Sequence, residues 1–129
     1  MLLSNFHITH IPALLAATTT TLGGLWPIFS PQSSMLEFGF PAHIATSPAA
    51  HPVMVSASAR TTVLGLLTWM YYLGGQYEVV DTILAVFGFY AGVVDGIVVW
   101  KTGNRGKAVF RVVGSGVIGV CGAVGLTAW

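Results

Sequence analysis

Apolar positions run along this chain in four long stretches, approximately 9 to 28, 53 to 73, 79 to 100 and 108 to 128. Each approaches the roughly 20 residues that an α-helix needs to cross about 30 Å of hydrocarbon. The pattern predicts an all-α membrane protein: a four-helix transmembrane bundle with antiparallel neighbours, residues 1–129 forming a single transmembrane domain. The first stretch is the weakest, because Thr18 to Thr21, Gly23, Gly24 and Pro27 dilute it. Threonine hydroxyls can bond back to their own helix, so a tilted, kinked or partly re-entrant span is expected there. This stretch also has the apolar character of a secretory signal. A signal begins with basic residues, however, and the first Lys or Arg in the chain is Arg60.

The connections between the stretches differ in kind. Residues 29–52 hold Pro31, Pro41, Pro48 and Pro52 among Ser and Ala, which blocks a long helix and reads as a loop, while Met35, Phe38 and Phe40 make it apolar enough to lie at a membrane interface. Gly74 to Glu78 forms a tight Gly-rich turn, and Lys101 to Lys107 a basic one. Every Lys and Arg except Arg60 falls at 101, 105, 107 or 111, so the positive-inside rule places loop 101–107 in the cytoplasm. Trp26, Trp69, Tyr71, Tyr72, Trp100 and Trp129 sit near the proposed span ends, where interfacial aromatics belong.

Composition strengthens this reading and closes others. The chain is 54% hydrophobic and 7% charged, whereas a soluble domain carries charge on about a quarter of its positions. Five Lys and Arg and a net charge of +1 cannot track a phosphate backbone, so a nucleic-acid partner is excluded. The expected partner is the lipid bilayer, in the endoplasmic reticulum or another endomembrane. The lone Cys121 permits no internal disulfide and no cysteine metal cluster.

Small residues mark helix-packing faces. Gly88, Gly92 and Gly96 recur every four positions on the third span, and Ser115 and Gly119 repeat that spacing on the fourth. Such smooth faces let backbones approach closely, either inside one bundle or between copies in a homo-oligomer.

Ionisable residues within the spans carry the functional lead, because burying one in the bilayer costs about 2.5–3.5 kcal/mol on insertion scales. Arg60 lies about seven residues into the second span and Asp95 about five from the cytoplasmic end of the third, which puts them at matching depth, roughly 8–10 Å in. An Arg60–Asp95 ion pair is therefore expected, with Arg111 near enough to join it. In a cavity, Asp95 would serve as general acid or base on a lipophilic small molecule, and Arg60 would orient it or stabilise an oxyanion. The competing role is a pair that only fixes helix register while Arg111 snorkels to headgroups. His43 and His51 lie in the 29–52 loop on the same side and are second candidates for binding. At the opposite rim, His7, His10, Glu78 and Asp81 have poor spacing for a metal and suit a solvated edge, so no metal and no cofactor are expected. GxSxG, HExxH, CxxC, P-loop and Rossmann signatures are all missing from the sequence.

Within residues 56–128, three segments carry a family resemblance: Arg60 with Leu64-Gly65-Leu66, Gly92-Val-Val-Asp95-Gly96 leading to Trp100-Lys101, and Gly103-Asn-Arg-Gly106-Lys107-Ala108. They resemble the small integral membrane proteins grouped as domain of unknown function 4267, and are similar to its fungal branch, whose members often lie near secondary-metabolite genes. The resemblance implies a four-helix membrane protein and adds weight to Arg60 and Asp95, without supplying an activity. Relatives often carry an acidic residue directly after the arginine, where this chain has Thr61 and Thr62. The function expected is a small membrane accessory enzyme of isomerase or cyclase type, acting on a lipophilic intermediate of fungal secondary metabolism. The alternative is a non-catalytic scaffold for pathway enzymes. A carrier is disfavoured, since four short spans without inverted repeats leave little room for alternating access.

Overall fold

The computed structural model describes residues 6–129, and the regular elements it contains are helical. A 3₁₀ turn, Ile8–His10, leads into α1 (Ile11–Phe29); α2 (Pro31–Phe38) and α3 (Ala42–Ala45) follow, then α4 (Ala50–Leu73). The third long element is α5 (Tyr77–Val86) continued by a π-helical turn, Phe87–Ala91, into α6 (Gly92–Thr102), and α7 (Arg105–Ala123) is the fourth. Four helical stretches have the length and apolar composition to cross a membrane: Ile8–Phe29, Ala50–Leu73, Tyr77–Thr102 and Arg105–Ala123. Their outer faces carry Leu15, Leu22, Val63, Met70, Phe110 and Val117, all exposed, as helices that face hydrocarbon must.

The 29–52 segment departs from a plain loop. Its prolines start helices here: Pro31 occupies the first turn of α2, Pro41 the N-cap of α3 and Pro52 the first turn of α4. A first-turn amide has no intrahelical partner to lose, so proline is tolerated there and its fixed φ is already helical. α1 also runs unbroken through Pro27, which is buried in its last turn.

The fourth span ends earlier than its apolar run, at Ala123. Gly125 has φ +72°, and the Leu126 amide donates to the Cys121 carbonyl at 3.1 Å, the six-to-one bond of a Schellman-type stop. Asn104 starts the same helix, its side chain accepting from the Lys107 amide at 3.1 Å.

Close backbone approach holds the long helices in pairs. α1 meets α4 where Gly24 lies against Ser58 and Thr62, and where Gly65 lies against Ala17 and Thr21. The Thr62 hydroxyl donates to the Thr21 carbonyl at 3.1 Å and the Trp69 indole to the Thr18 hydroxyl at 3.2 Å. Gly88, Gly92 and Gly96 face Gly119, Ser115 and Val112 of α7 in turn, and Gly122 reaches Asp81 and Ala85. In both pairs, residue numbers rise along one helix as they fall along the other. The small residues of the third and fourth spans are thus engaged with each other inside this chain.

The π turn has a sequence cause. Val80, Leu84, Gly88, Gly92 and Gly96 are all buried at constant intervals of four. A regular helix of 3.6 residues per turn would carry such a row through about 160° of rotation, out of the interface. A wider turn at Phe87–Ala91 takes up the surplus and keeps the row against its neighbours.

Candidate functional site

The end of the bundle that carries the basic 101–107 loop also carries the 31–45 segment. Met35, Phe38, Phe40 and Ile44 of that segment close over α4, the π turn and α6 to bound a cavity of about 540 Å³. That volume falls in the range of small-molecule sites. Its walls are apolar apart from Ser58 and Thr61 on α4 and Asp95 on α6. Phe38 and Phe40 stack at the mouth, with centroids 5.0 Å apart and planes 8° from parallel.

Asp95 is half-buried, and among the described residues neither a hydrogen bond nor an ion pair engages its carboxylate. It is the one acidic group lining the cavity. The π turn sets its position, because Phe87 and Ala91 of that turn line the same cavity two turns and one turn before it.

Arg60 does not join it, so the expected Arg60–Asp95 pair is corrected. The Arg60 side chain is exposed, and its Nη1 donates to the Ser56 carbonyl at 2.8 Å and to the Ser56 hydroxyl at 3.2 Å. Matching depth fixed the height of both residues but not their direction around the helix. α4 turns Ser58, Gly65, Thr68 and Tyr72 inward, which leaves position 60 on the outer face. There the long stem lies along the helix and carries the charge back toward the nearer end of the span, as lipid-facing arginines do.

Arg111 is the cation near Asp95, close enough for the two charges to act on one another without forming an ion-pair contact. Its Nε donates to the Phe38 carbonyl at 2.8 Å, and its guanidinium stands 3.6 Å over the Phe38 ring. One turn earlier, Lys107 Nζ donates to the Glu37 carbonyl at 3.0 Å and pairs with the Glu37 carboxylate at 3.4 Å. Immediately after these two ties, Gly39 has φ +119°, and a Cβ there would stand 2.5 Å from a Val99 methyl. Only glycine meets both demands, the left-handed backbone and the missing volume. α7 thus straps α2 across the cavity.

Replacing Arg111 with leucine removes the carbonyl bond and the ring contact while keeping the apolar stem. We expect the Gly39 and Phe40 amides, both bonded to the Met35 carbonyl, to exchange about ten- to a hundredfold faster, in line with the loss of one charge-assisted bond. Hydrogen exchange with mass spectrometry on the 31–45 segment measures it, and protection equal to wild type would show that the strap does not depend on Arg111.

Of the two loop histidines, His43 is exposed on α3, and His51 is half-buried with Nε2 at 2.7 Å from the Ala45 carbonyl. Neither lines the cavity.

The far end of the bundle holds a second polar group. His10 is buried, its Nδ1 2.9 Å from the Tyr72 hydroxyl and its ring 4.6 Å from that of Tyr77. Asp81 is buried beside it, accepting from the Thr127 amide at 3.0 Å and the Ala128 amide at 2.9 Å. Reading these two as members of a solvated rim is therefore corrected, whereas His7 and Glu78 of the same rim are exposed. No group of three His, Cys, Asp or Glu that could hold a metal occurs among the described residues.

Four apolar helices of membrane-crossing length, with hydrocarbon-facing exteriors and an apolar cavity between them, define a multi-pass integral membrane protein. Residues 17–125 match the family model of the domain of unknown function DUF4267, and the chain belongs to that family. The match takes in most of α1 as well as the last three spans. Comparison with curated proteins and with solved structures gives no match.

Proposed function

We propose that this protein binds a lipophilic small molecule in the α2-covered cavity and that Asp95 transfers a proton on it, as an isomerase- or cyclase-type accessory enzyme. The observation that carries the reading is one unengaged carboxylate in a cavity of about 540 Å³ whose other walls are apolar except for the Ser58 and Thr61 hydroxyls. In an isomerisation the carboxylate accepts a proton from one carbon and returns it to another, which needs neither oxidant nor cofactor. Apolar walls keep water from competing for that proton. Thr61 and Ser58 offer hydroxyls to orient an oxygen of the substrate, and Arg111 holds the Phe38 wall in place. Arg60, turned to Ser56, takes no part.

The family resemblance supports placing this step in fungal secondary metabolism, within an endomembrane, and the basic 101–107 loop supports an orientation with that loop in the cytoplasm. A scaffold for pathway enzymes is the competing reading; the glycine faces of the third and fourth spans that would serve it are engaged with each other inside this chain.

Metabolite profiling of a host lacking the gene, restored with wild type or Asp95→Asn, separates the two. An isosteric amide cannot accept the proton, so the proposal expects Asp95→Asn to accumulate the precursor seen in the deletion, with product lowered at least about a hundredfold. Product at the wild-type level from an inserted Asp95→Asn protein would sink catalysis and leave the scaffold.

A further inference from the structure

A second concavity lies on the outer surface, apart from the Asp95 cavity. Between α6 and α7, residues Val93, Ile97, Val109, Val112 and Val113 bound a groove of about 390 Å³ whose walls expose only apolar atoms. It exists because Gly96 and Ala108 bring the two helices together at its floor, while the valines on either side stand outward. Its upper end is different in kind. Lys101 and Trp100 line it there, and the Arg105 guanidinium stands 4.7 Å over the Trp100 ring.

An occupant of this groove meets hydrocarbon along its length and, at its end, the Lys101 stem and an indole, with the Arg105 guanidinium on that indole and the Lys101 ammonium just beyond the apolar walls. Lys101 and Arg105 are exposed and make no ion pair among the described residues. The ties of α2 use Lys107 and Arg111 instead, so these two cations are free to meet an anion. An indole carrying an arginine on its face belongs at headgroup depth, where its ring is half in hydrocarbon. We infer that the α6–α7 groove is a binding site for one anionic phospholipid, with an acyl chain along the valines and the phosphate held by Lys101 and Arg105. The positive-inside rule puts this end at the cytoplasmic leaflet, where anionic lipids concentrate, and basic pockets between helices on that side recognise such headgroups.

The test uses the full chain purified in mild detergent from vesicles of phosphatidylcholine containing a minor fraction of phosphatidylserine, with bound lipid quantified by mass spectrometry. Phosphatidylserine is expected to be enriched over its vesicle fraction on the order of tenfold, from two basic contacts at the surface. The Lys101→Gln/Arg105→Gln double variant is expected to return to the vesicle ratio. Val113→Trp, at an exposed position, fills the groove and leaves both charges; it is expected to lose the enrichment as well. Enrichment surviving in the double variant overturns the headgroup assignment, and enrichment surviving in Val113→Trp reduces the site to a basic surface without a groove. A wild-type protein with no enrichment removes the site altogether, while the Asp95 cavity keeps its own test in metabolite profiling.

Discussion

Gly88→Leu is expected to cost this protein about 3 kcal/mol or more of stability, because the new side chain has no room against the neighbouring backbone. A Cβ at position 88 would lie 2.5 Å from the Gly119 amide nitrogen, 2.6 Å from the Ser115 carbonyl and 2.7 Å from the Gly119 Cα. All three are backbone atoms, which cannot rotate away as a side-chain tip can. Overpacking usually costs 1–3 kcal/mol because neighbours yield. Here α7 itself must retreat, and every contact along the seam loosens with it. Gly114→Leu supplies the control, since a Cβ there meets nothing within 4 Å and the change is expected within about 0.5 kcal/mol of wild type. Reversible unfolding in mixed detergent micelles measures both, and two variants that unfold together with wild type would refute the close crossing.

The second large effect is expected at Asp81. Its two oxygens accept from two backbone amides in a buried setting, and bonds to a charged acceptor contribute about 1.5–3 kcal/mol each. Asp81→Ala leaves the Thr127 and Ala128 amides without a partner, for an expected loss of about 2–4 kcal/mol. The 124–128 turn should then lose its hydrogen-exchange protection before the rest of the molecule unfolds. Glu78→Ala, three residues away and exposed, should change neither quantity. If Asp81→Ala and Glu78→Ala behave alike, the carboxylate does not hold that turn.

What the sequence reveals of this molecule is set by what one-dimensional spacing can encode. Span existence depends only on the length of an apolar run, so all four stretches could be seen. Their ends at Ala50 and Ala123 could not, because proline starts α4 and Gly125 stops α7 by local geometry that hydropathy does not register. Direction around a helix is harder. Arg60 and Asp95 share a depth, yet one turns outward, and only the packing of Ser58 and Gly65 on α1 determines that. The contacts that matter most around the cavity end on backbone carbonyls, of Glu37 and Phe38, and any residue type supplies a carbonyl. Glu37 could have been found as the one acidic residue of the 29–52 segment, opposite a basic loop. The π turn had a visible signal too, in glycines spaced by four rather than by an average of 3.6.

The Asp81 clasp also orders events during synthesis. Its two partners are encoded 46 and 47 residues after it, so the third span must leave the ribosome and meet the membrane while its carboxylate has nothing to bind. Until the fourth span arrives with the 124–128 turn, that segment carries an unmet charge at its leading end and is best kept near the aqueous edge or beside a chaperone. Completion of the last helix therefore supplies the two amides from which the carboxylate of the third one accepts.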